Sequence, residues 1–287
     1  MTAPALTGKI WGILLRNEWF KARKRPAFLL PIGFYLVIAF GTYFSSYREA
    51  ARDAGRTFAL PGAWTTVFSD DLSSIFLIFA SVCLIMLASS EFTWRTARQN
   101  VIDGVSKTQW FFGKLMLIPL LGLLFIGLNV IMGAGFAALG ASGTASGAAG
   151  GPAVPLGVLR AAGALFLAYC SVGGLALFIS LAVRGSGGAM AVWFLWIGIV
   201  EQLLFQILGR IEAVRPLLAY QPFILSQRLI GFEKWDPATF QRIVDAAREA
   251  EEAIPVAPDM TTDLLVTAGW AIALIVGALI LFRRRDL

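Results

Sequence analysis

Residues 72–90 read LSSIFLIFASVCLIMLASS, and residues 91–110 read EFTWRTARQNVIDGVSKTQW. The first stretch has no charge over a length close to the roughly 20 apolar residues that cross a bilayer core. The second carries Glu91, Arg95, Arg98, Asp103 and Lys107, so a membrane span ends at Glu91. Trp94, Ala97, Val101 and Val105 then recur at the spacing of one helical face, with Thr93, Arg95, Thr96, Arg98, Gln99 and Asn100 on the others. Gly104 closes that helix, and Ser106 with Gln109 fits a capping box opening the next. A short helix is expected here, its apolar side against the membrane and its polar side displayed.

The same reading extends outward. Uncharged runs occupy Ala27–Phe44, Leu115–Leu139, Ala161–Val183 and Leu264–Phe282, and a further run, Ser186–Val200, meets Glu201 and continues as Leu203–Leu208. A polar residue inside a span is tolerated where it faces protein or water. The expected fold is therefore all-α, a polytopic membrane protein of six transmembrane helices forming one domain over residues 1–287.

Composition agrees with lipid surroundings. Hydrophobic residues make up 57% of the 287 and charged residues 15%, against about 25% charged in soluble domains; mean hydropathy is +0.73. The chain has no histidine, which excludes His-ligated metals, HExxH zinc sites and Ser-His-Asp triads. Cys83 and Cys170 each lie in an apolar run and read as buried small hydrophobes. No G-x-x-x-x-G-K-[ST] stretch is present to cradle nucleotide phosphates. The net charge of +6 reads as marking span ends; no nucleic-acid partner is expected.

Basic residues set the direction. With the N-terminus cytoplasmic, the inner segments hold 14 of the 24 basic residues and four acids, and the outer segments hold 10 basic residues and 13 acids. Both termini are thus expected inside. Residues 1–26 read as a cytoplasmic amphipathic helix, with Ile10, Trp11, Leu14, Leu15 and Trp19 on one stripe and Lys9, Arg16, Asn17 and Lys21 elsewhere. Pro26 and Pro31 mark the turn into the first span and a kink within it. No small-x-small cleavage site follows that span, which is expected to stay as an anchor.

Two outer segments differ in kind. Residues 140–155 are almost all Gly, Ala, Ser and Pro and read as a flexible loop. Residues 209–263 form a larger external region. In it Leu217–Ile230, interrupted by Pro222, suits short re-entrant or interfacial helices before the last span. Asp236-Pro237 opens a helix whose apolar stripe is Phe240, Ile243, Val244 and Ala247. Glu201, with Gln202 beside it and Gln206 about a turn on, is a candidate translocation-path group or else a structural one near the outer interface.

Taken together, these features resemble the membrane permeases of type-2 ATP-binding-cassette (ABC) transporters. An amphipathic N-terminal helix carrying Glu18 and the Lys21-Ala-Arg-Lys-Arg25 cluster leads into six spans. Glu91-Phe-Thr-Trp-Arg-Thr-Ala-Arg-Gln-Asn is similar to the family's acidic-then-Thr, aromatic, Arg stretch, although many members carry a Gly-Thr pair within it. Phe111-Phe-Gly-Lys114 resembles the family's entry to the third span, and the chain ends Arg283-Arg-Arg-Asp-Leu287. The resemblance implies that residues 91–110 are a coupling helix, with Glu91, Thr93, Trp94, Arg95, Arg98 and Gln99 meeting separate ABC ATPase subunits. It implies a homodimer, or a pair with a similar permease, in a bacterial inner membrane. ATP and Mg would bind the partner, leaving this chain without cofactor or enzymatic activity, and most bacterial members export their cargo. The alternative is an ion-coupled transporter or channel using Glu201.

Overall fold

The computed structural model describes residues 8–52, 66–94, 106–141, 156–211, 213–231 and 259–284, with isolated positions 96, 99, 102, 241, 244, 245, 248 and 249. Every regular element among them is helical. α1 spans Gly8–Arg23, α2 Pro26–Arg52, α3 Asp70–Thr93, α4 Lys107–Leu115, α5 Leu117–Ala141 and α6 Leu156–Val183. After these come α7 (Ser186–Leu195), α8 (Glu201–Leu208), α9 (Arg215–Leu218), α10 (Pro222–Gly231) and α11 (Met260–Arg284).

Six helical stretches are long and apolar enough to cross a membrane: Pro26–Arg52, Asp71–Thr93, Lys107–Gly140, Val158–Val183, Ser186–Leu208 and Met260–Arg284. The shortest have 23 residues, about 35 Å at 1.5 Å per residue, which clears a hydrocarbon core of about 30 Å. This is a multi-pass membrane protein. The fifth span does not stop at Glu201. A π-helical turn, Trp196–Val200, joins α7 to α8 and carries the helix on to Leu208.

α3 and α6 form the centre, with most of their length buried, while α2, α7–α8 and α11 turn most of their surface outward. Small residues let the central pair approach: Ser73, Ala80, Ser81, Ala88 and Ser89 on α3 and Ala168, Ser171, Ala176 and Ser180 on α6 are all fully buried. Without a hydrophobic force between helices in lipid, polar ties carry part of the association. The Tyr169 hydroxyl of α6 donates to the Ala80 carbonyl of α3 at 3.2 Å, and that of Tyr43 in α2 donates to the Asn129 carbonyl of α5 at 3.2 Å. The inward face of α2 is Phe28, Pro31, Tyr35, Ala39 and Tyr43, a stripe of threes and fours set by helical geometry.

Prolines and caps act at the ends. Pro26 starts α2, where a missing N–H costs nothing, and Pro31 is held within the helix's second turn. The capping box at Ser106 and Gln109 is present: Gln109 N donates to Ser106 Oγ at 3.1 Å and Ser106 N to Gln109 Oε1 at 2.9 Å. Gly133 on α5 is a close approach, since a Cβ there would lie 2.8 Å from Val67 Cγ2.

α9 and α10 follow the fifth span, and α10 packs on α6 and α11. Asp236, Pro237, Phe240, Ile243 and Ala247 lie outside the described residues. Val244, on the expected apolar stripe, is buried, and Gln241, Asp245, Arg248 and Glu249 are exposed.

Candidate functional site

Glu91 closes α3, Lys114 lies in the last turn of α4, and Glu18 and Lys21 sit one turn apart on α1. These four charges meet. Lys114 Nζ is 2.7 Å from Glu91 Oε1, and both side chains are 1% exposed. Lys21 Nζ reaches Glu91 Oε1 and Glu18 Oε1 at 3.3 and 3.2 Å, and Lys114 also pairs with Glu18. The second Glu91 oxygen accepts the Trp110 indole N–H at 2.7 Å. Two carboxylates and two ammonium groups balance, which is the condition for holding charge out of water. Burial works to lower the Lys21 pKa, but Glu18 and Glu91 together more than offset this and hold it above its ordinary value.

Other elements close on the same spot. Phe282 of α11 stacks on Trp110, ring centroids 4.8 Å apart, and Phe92 meets Trp110 edge-on at 5.4 Å. Arg25 donates to Ser90 Oγ at 2.6 Å. The α6–α7 turn docks alongside: Ser186 N donates to Thr93 Oγ1 at 3.4 Å, and the Arg184 guanidinium lies 5.9 Å from the Phe92 ring centre. Arg184 takes the left-handed conformation, φ 59°, which reverses the chain between two spans. One end of the bundle therefore gathers α1, the end of α3, the start of α4, the α6–α7 turn and the end of α11 around Glu91.

Thr93 is exposed, with its hydroxyl bonded back to the Ser89 carbonyl; Gln99 is exposed; and Thr96 Oγ1 donates to the Glu91 carbonyl at 3.3 Å. Arg95 and Arg98 lie outside the described residues. Trp94, expected both on the apolar stripe and among the residues meeting an ATPase, is 75% exposed. It is the C-cap of α3, with φ −89° and ψ 4°, so that helix ends here. Ile102 is 68% exposed, so the displayed surface is apolar as well as polar.

At the opposite end of the fifth span Glu201 is fully buried. Its carboxylate caps α10, accepting Phe223 N and Ile224 N, each at 3.0 Å. It also accepts the Trp196 indole N–H at 2.6 Å, while Glu201 N bonds the Trp196 carbonyl. That five-residue reciprocity is the spacing of the π turn. Gln202 is half-buried and Gln206 exposed. Five residues turn a helix by about 500°, which leaves Gln206 about 140° away from Glu201, so the three do not converge on one path.

A second buried pair was missed in the sequence. Arg228 of α10 donates to both Asp263 oxygens of α11 at 2.9 and 3.0 Å, and Trp270 Nε1 donates to the Tyr220 carbonyl at 2.6 Å. The available signal was a lone Arg inside the apolar Leu217–Ile230 stretch and a lone acid at the start of the last span. Among the described residues no group of three Cys, Asp or Glu is placed to hold a metal ion. The sequence matches no protein-family model, and a search of curated proteins finds no relative.

Proposed function

We propose that this chain is the membrane permease of an ATP-driven ABC transporter of type 2, an exporter in a bacterial inner membrane. It works as a homodimer or beside a similar permease, on two separate ATPase subunits that bind ATP and Mg; the chain itself catalyses nothing. Residues 91–106 form the coupling segment, and the end of the bundle that carries them is cytoplasmic, with both termini on that side. α9 and α10 form an external re-entrant region.

The observation that supports this reading best is the buried Glu18–Lys21–Glu91–Lys114 network at the root of the coupling segment. A segment that transmits force needs a stiff base connected to several spans, and this one is joined to α1, α3 and α4 by charge and to α11 through Trp110 and Phe282. Trp94 and Ile102, exposed beyond it, suit an apolar groove on a partner. The capping role of Glu201 weighs against the ion-coupled alternative, since its carboxylate is committed to α10.

Affinity purification of the tagged chain from its native membrane tests the reading. The expected result is a stoichiometric ATP-hydrolysing subunit that is lost with Arg95→Glu/Arg98→Glu. A folded chain that purifies alone and without ATPase activity, after gentle extraction, would overturn it.

A further inference from the structure

The corner between α1 and α2 carries two adjoining clefts that the coupling network does not use. One, about 420 Å³, is lined by Arg16, Asn17, Trp19, Phe20 and Arg23. The other, about 470 Å³, is lined by Lys24, Pro26, Leu29, Leu30, Gly33, Phe34 and Val37. Phe20 of the first lies against Lys24 of the second: its ring is 4.1 Å from Lys24 Nζ and 4.9 Å from the Arg23 guanidinium carbon. The first cleft is cationic and amphipathic; below Lys24 the second is wholly apolar.

We propose that this corner holds one anionic phospholipid, its phosphate on Arg23 and Lys24 and an acyl chain in the groove over Gly33. Three observations carry it. Arg16, Arg23 and Lys24 are exposed, and no carboxylate lines either cleft. An anionic headgroup therefore meets only complementary charge, whereas a zwitterionic one brings an ammonium of its own against Lys24. The apolar groove runs from Pro26 to Val37, about 16 Å along the helix, which matches one leaflet of a hydrocarbon core of about 30 Å. Finally, Gly33 is exposed and a Cβ there would meet nothing within 4 Å, so this stretch of α2 is open for a chain to lie against. The basic cluster sits at the end of a span, at the depth of a headgroup.

Native mass spectrometry of the detergent-purified chain tests this with phosphatidylglycerol and phosphatidylcholine of identical acyl chains. The wild-type chain is expected to retain one phosphatidylglycerol in preference to phosphatidylcholine. Arg23→Gln/Lys24→Gln should lower that retention about tenfold or more, from the loss of two headgroup charges. Gly33→Leu fills the groove and should lower retention of both lipids. Gly41→Leu, on the same helix with the same open surroundings, and Arg210→Gln should leave it unchanged. Equal retention of the two lipids by the wild type, or undiminished phosphatidylglycerol on Gly33→Leu, would overturn the proposal. So would a Gly33→Leu chain that loses a second copy of itself instead of a lipid, since the groove would then be a dimer contact.

Discussion

Lys114 and Glu91 lie 2.7 Å apart with each side chain 1% exposed, joining the start of the third span to the end of the second. The pair is 23 residues apart in sequence, and those residues include the whole segment proposed to meet an ATPase. Both ends of the segment are thereby tied to one buried point, so a push on it reaches two spans together.

Removing one member leaves an uncompensated buried charge. Lys114→Met should destabilise the folded chain by about 3–5 kcal/mol, read as a fall in the thermal midpoint in detergent. Lys21→Met, at the network's more exposed edge, should cost much less. Equal midpoints for wild type and Lys114→Met would show that the network does not brace the fold.

Glu201 makes a contrasting prediction. Glu201→Ala strips two backbone N–H groups of their acceptor at the start of α10. It should cost about 1–3 kcal/mol of stability, with Glu201→Gln milder because its carbonyl still accepts one bond. Transport per folded molecule should survive in Glu201→Gln. Transport abolished in a fully folded Glu201→Gln chain would return Glu201 to the translocation path.

The Arg228–Asp263 pair holds α10 to α11. Hydrogen exchange along 223–231 should accelerate in Arg228→Gln and in Asp263→Asn, each by a similar amount, because either change breaks the same tie. Exchange unchanged in both would mean that apolar packing alone seats α10.

Gly133 and Gly127 separate close approach from helix propensity. Gly133→Ala puts a methyl 2.8 Å from Val67 Cγ2 and should cost about 1–3 kcal/mol. Gly127→Ala, with nothing within 4 Å, should be neutral or mildly stabilising. Matching thermal midpoints for the two variants would contradict the close packing of α5 on Val67.

Two groups outside the spans should contribute to the pH dependence of stability. The Lys21 pKa is raised, so its contribution is complete below its ordinary 10.5 and is lost as pH rises through the higher folded value. The Asp259 pKa is lowered, chiefly by the Thr262 hydroxyl and further by backbone N–H groups. Its contribution is present above the ordinary 3.8 and falls away as pH drops through the lower folded value. Asp259→Asn should blunt the acid limb of a stability–pH curve and Lys21→Met the alkaline limb.

The spans were legible because the bilayer imposes a length and forbids charge, and all six apolar runs lie within helices that extend at most about two turns beyond them. The Ser106–Gln109 box was legible because it is a local pattern. What stayed hidden is long-range or register-dependent. Nothing in the neighbourhood of Glu201 announces a π turn, which aims its carboxylate at a helix 22 residues on. Glu91 and Lys114 were visible at span ends and Glu18 and Lys21 on the N-terminal helix, but their convergence depends on how α1 lies across α3 and α4.

Photo-crosslinking from Gln99, carried out in intact native membranes with a benzophenone residue at that position, tests the coupling claim most directly. The account predicts one dominant protein adduct, with an ATP-hydrolysing subunit, changing in yield when nucleotide is trapped. A folded chain that gives no protein adduct from Gln99, or only adducts with lipid, would contradict it.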